Sequence, residues 1–182
     1  TNMNAPTNPK ELELQTVEFK LDGKTIVSYE GETILKAAKR HGIDIPHLCF
    51  KDGYRPDGNC RACVVEINGE RTLAPSCCRS ATPGMEVKAN SERAIKSQKL
   101  VLEMLLSDMP DEGFKWVGDS KEEEQRQQHG ELSTWATRMD VTVRPQLKAL
   151  RREKVKSDIS HPAMAVNLDA CIQCNRCRSE EH

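Results

Sequence analysis

The sequence predicts an α+β protein: a small mixed sheet crossed by one helix, then a helical stretch, then a short cysteine-bearing segment. Three observations support that expectation. Apolar residues alternate with period two over residues 16–29 and again over 64–67, and Asp22-Gly23 and Asn68-Gly69 supply the dipeptides that most favour tight hairpin turns. Behind Thr33 and Ser91 the apolar residues switch to three- and four-residue spacing, as in helices that start at an N-cap. The eight cysteines fall in two groups instead of being spread along the 182 residues.

Residues 1–15 hold few apolar side chains and include Pro6 and Pro9, so they cannot offset the entropy of ordering and read as a disordered tail. The first domain is expected over residues 16–90. Val17, Phe19 and Leu21 point one way, the chain turns at Asp22-Gly23, and a second strand returns through Ile26 to Tyr29. Thr33 then caps a helix whose Ile34, Ala37 and Ala38 must cover a sheet, and Gly42 closes it in the left-handed conformation. After Pro46 comes a long loop, then the strand Val64–Ile67, the Asn68-Gly69 turn, and Arg71, Thr72 and Leu73 leading back as a strand to Cys77. Pro83-Gly84 turns the chain into a last strand around Met85 and Val87.

Residues 91–160 are expected to be a helical and charged linker without cysteines. Asn90 or Ser91 caps a helix with Ile95, Leu102, Leu105, Leu106 and Met109 in one stripe, which is either core or a face for a partner subunit. Residues 111–130 lack periodicity and read as a solvated linker, and 131–141 is a second short helix with Leu132, Trp135 and Met139 on one side. Residues 144–156 carry six basic side chains against one glutamate, a solvated face or a strip for an acidic partner. The final segment, 161–182, places a short strand before a C-x2-C-x2-C run.

Composition excludes several classes. The formal net charge of -1 argues against nucleic acid as a partner, because phosphate binding needs a positive surplus. No apolar run is long enough to span a membrane and no export signal is visible, so a cytoplasmic protein is expected. Clustered cysteines in such a chain bind metal more often than they form disulfides.

Cys49, Cys60, Cys63 and Cys77 form a C-x10-C-x2-C-x13-C pattern. Gly53, Pro56 and Gly58 let the first loop turn backbone N–H groups inward, where they would stabilise an anionic sulfur cluster. A structural four-thiolate zinc site is the alternative, although such sites usually pair two short C-x2-C turns. A dithiol–disulfide enzyme built on Cys60 and Cys63 would need a βαβ context that is missing. Cys78 is expected on the opposite face of a strand from Cys77, as a free buried thiol. His41 and His47 flank the loop and are candidates to support it from behind, whereas His129 and His161 read as surface or turn residues. Cys171, Cys174 and Cys177 match the start of the bacterial C-x2-C-x2-C-x3-C run for 4Fe-4S binding, but Glu181 stands where its fourth cysteine belongs.

The phrases Pro46-His47-Leu48-Cys49, Gly58-Asn59-Cys60-Arg61-Ala62-Cys63 and Asn167-Leu168-Asp169-Ala170-Cys171-Ile172-Gln173-Cys174-Asn175-Arg176-Cys177, in that order, resemble the N-terminal iron–sulfur region of the catalytic alpha subunit of NAD-dependent molybdenum or tungsten formate dehydrogenases. Related modules occur in the large iron–sulfur subunit of complex I and in NAD-coupled hydrogenases. The resemblance implies a β-grasp ferredoxin domain in which Cys49, Cys60, Cys63 and Cys77 hold a 2Fe-2S cluster. It also implies that Cys171, Cys174 and Cys177 are three ligands of a 4Fe-4S cluster, in a truncated ferredoxin-like segment. It further implies an electron-transfer module with no catalytic residue of its own, relaying single electrons between a molybdopterin site and a flavin/NAD subunit while formate and NAD+ become CO2 and NADH. Molybdopterin, FMN and NAD would belong to the parent complex, and the partners would be its flavin/NAD-binding and iron–sulfur subunits. Residues 107–160 contain no cysteine where many relatives carry another cluster, so that cluster is expected to be missing. Plant-type 2Fe-2S clusters sit near about -400 mV, a range suited to nicotinamide and flavin couples.

Overall fold

The computed structural model describes residues 15–110 and 130–179. The expected tail lies outside the described residues except for Gln15, and the expected 111–130 linker lies outside them except for Gly130.

Strands β1 (Thr16–Leu21) and β2 (Lys24–Tyr29) make the first hairpin, with Phe19 opposite Ile26. Asp22 and Gly23 form its two-residue turn at φ of 50° and 81°, the left-handed pair whose twist matches that of the strands. Asp22 also reaches beyond the hairpin. Its Oδ1 accepts the N–H of Ala89 at 2.8 Å and of Asn90 at 3.1 Å, which fastens the start of the long helix to the first turn.

Helix α1 (Ile34–Arg40) begins at Thr33, whose hydroxyl accepts the N–H of Lys36, and buries Ile34, Leu35, Ala37 and Ala38. Strands β3 (Val64–Ile67), β4 (Ala74–Pro75) and β5 (Glu86–Lys88) complete a five-stranded sheet in the order β2-β1-β5-β3-β4. Only β1 and β5 run parallel, so the sheet is mixed and consistent with the β-grasp expectation. Phe19, Leu21, Ile26, Val65 and Val87 meet the buried face of α1 in the main core.

Two strands differ from the sequence expectation. The return strand does not occupy Arg71, Thr72 and Leu73 but is confined to Ala74–Pro75. There the backbone turns to a different partner: Arg93 donates to the Arg71 carbonyl at 2.7 Å, from the long helix. The last strand begins one residue later than Met85.

Helix α2 (Glu92–Ser107) is capped by Ser91, whose Oγ accepts the N–H of Ala94 at 3.2 Å. Its innermost row is Ala94, Gln98 and Leu102, one turn apart, so a buried glutamine stands within the expected apolar stripe. Gln98 donates to the carbonyl of Val64 at 2.8 Å and of Ala89 at 3.3 Å, tying α2 to the start of β3. Leu102 and Met109 join Leu48, Ala62 and Leu132 in a second, smaller core, while Leu100 and Met104 remain exposed.

Helix α3 (Glu131–Arg138) stops short of the expected 131–141. Asp140 adopts a φ of 51°, and the N–H groups of Asp140 and Val141 return to Thr137 and Ala136, a Schellman closure. A short helix α4 (Pro145–Lys148), an exposed hairpin of β6 (Asp158–His161) and β7 (Met164–Val166), a 3-10 turn (Leu168–Ala170) and helix α5 (Arg176–Ser179) follow.

Candidate metal centre

Both cores place the cysteine loop. Leu48 is fully buried just before Cys49, and Ala62, between Cys60 and Cys63, is fully buried in the same cluster. Gly58 and Arg61 turn the chain at φ of 64° and 59°. Ser76 Oγ donates to the Cys63 carbonyl at 2.7 Å, which draws the segment carrying Cys77 against the C-x2-C turn.

The four thiols converge, in pairs. Cys49 and Cys60 are within hydrogen-bonding reach of each other, as are Cys63 and Cys77, and Cys49 also meets Cys77 between the pairs. Backbone N–H groups point at the sulfurs: those of Cys60 and Asn59 at Cys49, that of Cys77 at Cys63, and that of Ala62 at Cys60 Sγ, 3.5 Å away. The Cys60 and Cys77 thiols donate to Cys49 and, against the opposing effect of burial, pull it down to about 2. Cys60 is pushed up in turn, by its bond to Cys49 and by burial. Cys77 lowers Cys63 to about 7 and is itself raised by Cys49 and Cys63.

This donor set fits an iron–sulfur cluster. It is all sulfur, ringed by N–H donors that offset negative charge. Among the described residues no group of three or more cysteine, histidine, aspartate or glutamate side chains is disposed to hold a single metal ion. The contacts run from Cys60 through Cys49 and Cys77 to Cys63, a linked set of four thiols that suits a binuclear group.

Cys78 corrects the sequence reading. It is exposed, not buried, and its Sγ lies only 3.6 Å from Cys77 Sγ, not across a strand from it. Strand β4 ends at Pro75, and the N–H groups of Cys78 and Arg79 both return to the Pro75 carbonyl at 3.1 Å. Side chains alternate between faces only within a strand; in this turn neighbours share a side.

The histidines stay behind the site. His41 Nδ1 is 2.8 Å from the Ala37 carbonyl and His47 Nδ1 is 2.8 Å from that of Ile45. The His47 ring stands between Phe50 and Trp135, with centroids 6.2 and 5.8 Å away, so it packs α3 against the loop. His161 lies in the exposed hairpin, where it accepts the N–H of Ala163, and His129 is outside the described residues.

The second cysteine group lies alongside. Ile172 packs into the cluster that includes Cys60 and Ala62, and an open cleft of about 500 Å³ runs between Asn59, Cys60 and Arg61 on one side and Ile172 and Gln173 on the other. Cys171 Sγ accepts the N–H of Gln173 at 3.3 Å, and Arg176 bonds Cys174 as well as Glu131. Gln173 and Asn175 take left-handed φ of 56° and 62°, which bends the C-x2-C-x2-C run at both gaps. The sequence pattern gave no sign of what holds this segment, which is the basic run. Arg151 pairs with the buried Asp169 at 2.8 Å, and Arg152 donates to the carbonyls of Leu168, Asp169 and Cys171 while its N–H binds Asp108 at the end of α2. Part of the expected solvated strip is thus an internal clamp.

Residues 15–92 match the family of 2Fe-2S iron-sulfur cluster binding domains. Over 164 residues the chain is 38% identical to NADP-reducing hydrogenase subunit HndD of Solidesulfovibrio fructosivorans, covering 87% of this chain and 26% of that protein. It is 31% identical over 170 residues to the mitochondrial NADH-ubiquinone oxidoreductase 78 kDa subunit of Candida albicans, covering 90% and 22%. An NAD+-reducing [NiFe]-hydrogenase in the H2-reduced state, known from its crystal structure, has a chain that aligns with a TM-score of 0.71 and 30% identity, over 88% of this chain and 64% of that one. The chain spans about a quarter of the length of these curated relatives. Among the described residues no helix is long and apolar enough to cross a membrane.

Proposed function

We infer that this chain, whose first domain is a 2Fe-2S ferredoxin-type domain related to those of the NADH-quinone oxidoreductase 78 kDa subunit and NAD-reducing hydrogenase, acts as the electron relay of a multi-subunit NAD-linked oxidoreductase. The observation that carries this reading is the convergence of Cys49, Cys60, Cys63 and Cys77 as a linked set of thiols under inward N–H groups. Cys49, Cys60, Cys63 and Cys77 would hold the cluster through their thiolates. Bound there, a 2Fe-2S group takes up and returns one electron at a time. The N–H groups of Asn59, Cys60, Ala62 and Cys77 temper the charge on the sulfurs, and the buried Leu48 and Ala62 keep water from the inner side.

Cys171, Cys174 and Cys177 would serve as three ligands of a 4Fe-4S cluster, an incomplete set because Glu181 stands where the fourth cysteine belongs. The bent run between them and its docking beside Cys60 support that role. Electrons would then pass between the two cysteine groups across the cleft at Ile172.

Two parents accommodate the module. In one it belongs to a formate dehydrogenase, between a molybdopterin site and a flavin/NAD subunit. In the other it belongs to an NAD-coupled hydrogenase or a complex I-like enzyme, which the names of its relatives favour. Affinity purification of the chain under anaerobic conditions, followed by assay of NAD+ reduction with formate and with hydrogen, distinguishes them. Activity with one donor assigns the parent; a colourless chain that co-purifies with no dehydrogenase contradicts the reading.

A further inference from the structure

Resting on the cluster assignment above, we propose that Cys78 is a second thiolate for the position served by Cys77, so that the cluster is completed by Cys49, Cys60, Cys63 and either of two adjacent cysteines. The spacing fits. Cys78 Sγ is 3.6 Å from Cys77 Sγ, so the two sulfurs are in contact and a shift of that order puts one in the place of the other. Both sulfurs ride on the turn that closes on the Pro75 carbonyl, so rotation of this turn is what would exchange them.

Gly58 is the second observation. It sits on the loop that carries Cys60, and a Cβ built there would lie 2.7 Å from Cys78 Sγ. The Cys78 sulfur, although its residue is exposed, thus fills the space a side chain at Gly58 would need, beside the ligand loop. The hierarchy between the two cysteines follows from burial: Cys77 is fully buried and Cys78 is exposed. Cys77 is therefore the ligand in the resting protein and Cys78 the reserve.

The exchange is a ligand substitution with no change of oxidation state. The bond from iron to Cys77 Sγ breaks as the bond to Cys78 Sγ forms, and the proton of the Cys78 thiol passes to the released Cys77 thiolate. When Cys77 is absent, that proton goes to solvent.

The test uses the full chain, reconstituted anaerobically with ferrous iron and sulfide, as wild type, Cys77→Ala, Cys78→Ala, Cys60→Ala and the double variant Cys77→Ala/Cys78→Ala. Iron and sulfide content, visible circular dichroism and the electron paramagnetic resonance spectrum of the reduced protein are read for each. Cys77→Ala is expected to load within about twofold of wild type with altered g-values, whereas Cys60→Ala and the double variant fall about tenfold or more. Cys78→Ala, which offers only Cys77, keeps the wild-type spectrum. A Cys77→Ala chain no better loaded than Cys60→Ala, folded or not, overturns the proposal, as does a double variant that loads like Cys77→Ala. A wild-type chain that takes up no cluster overturns the underlying assignment instead.

Discussion

Replacing Asp169 by asparagine should release the second cysteine group without unfolding the first domain. The Asp169 side chain is 5% exposed and accepts from Arg151 at 2.8 Å and from the Val155 N–H at 3.2 Å. Asparagine keeps the shape and removes the charge. Arg151 is then left facing a neutral amide, with its Nε already buried and without a partner. Breaking one side of a buried ion pair costs about 3–5 kcal/mol, and solvent screening at Arg151, which retains 26% exposure, reduces this to about 2–3 kcal/mol here. At about 1.4 kcal/mol per decade, local opening rises about 30- to 150-fold. Amide hydrogen exchange reads this directly at Val155, and at Ala170 and Cys171, whose N–H groups close the turn on Asn167 and Leu168. The amides of the β1–β2 hairpin should exchange at their original rate. Acceleration of less than about threefold at Val155 and Cys171 would refute the clamp, and equal acceleration in the first hairpin would show the effect to be global.

Three further outcomes follow from the same geometry. Gln98→Leu deprives the Val64 and Ala89 carbonyls of their donor and should destabilise the chain by about 2–3 kcal/mol in equilibrium denaturation; a loss under about 0.5 kcal/mol would contradict its place between α2 and β3. Burial raises the Glu32 carboxyl, but donation from Arg40 and the Tyr29 N–H outweighs it and leaves it below its ordinary value. Its stabilising contribution is therefore present above the ordinary carboxylate range and lost as pH falls through the lowered value, so Glu32→Gln should flatten the acid limb of the thermal unfolding curve. Cys60→Ser should bleach the visible spectrum and weaken the whole first domain, because metal binding supplies much of a small domain's folding energy; a variant with full colour and stability would count against the ligand set.

The first domain was legible because its signals are local. Asp22-Gly23 specifies a two-residue turn, Thr33 and Ser91 cap their helices, and the spacing of Cys49, Cys60, Cys63 and Cys77 is long enough for a loop to wrap a site yet short enough to keep it in one domain. What escaped depends on contacts between distant residues. The side on which Cys78 lies is set by the turn after Pro75, itself held by Ser76 against Cys63. Gln98 reads as a polar interruption in an apolar stripe until Val64 and Ala89 are seen beside it. Arg151 and Arg152 read as solvated charge because their partners, the Asp169 carboxylate and the carbonyls around it, come later in the chain. Arg71, Thr72 and Leu73 alternate like a strand, yet Arg93 claims the Arg71 carbonyl.

Electron paramagnetic resonance of the dithionite-reduced chain, with iron and sulfide measured on the same sample, puts the paired cysteines to the most direct trial. A half-integer-spin signal of a reduced 2Fe-2S cluster, accompanied by at least a pair of irons and a pair of sulfides per chain and abolished by Cys60→Ser, is the predicted result. A silent, colourless protein carrying a single zinc would contradict it.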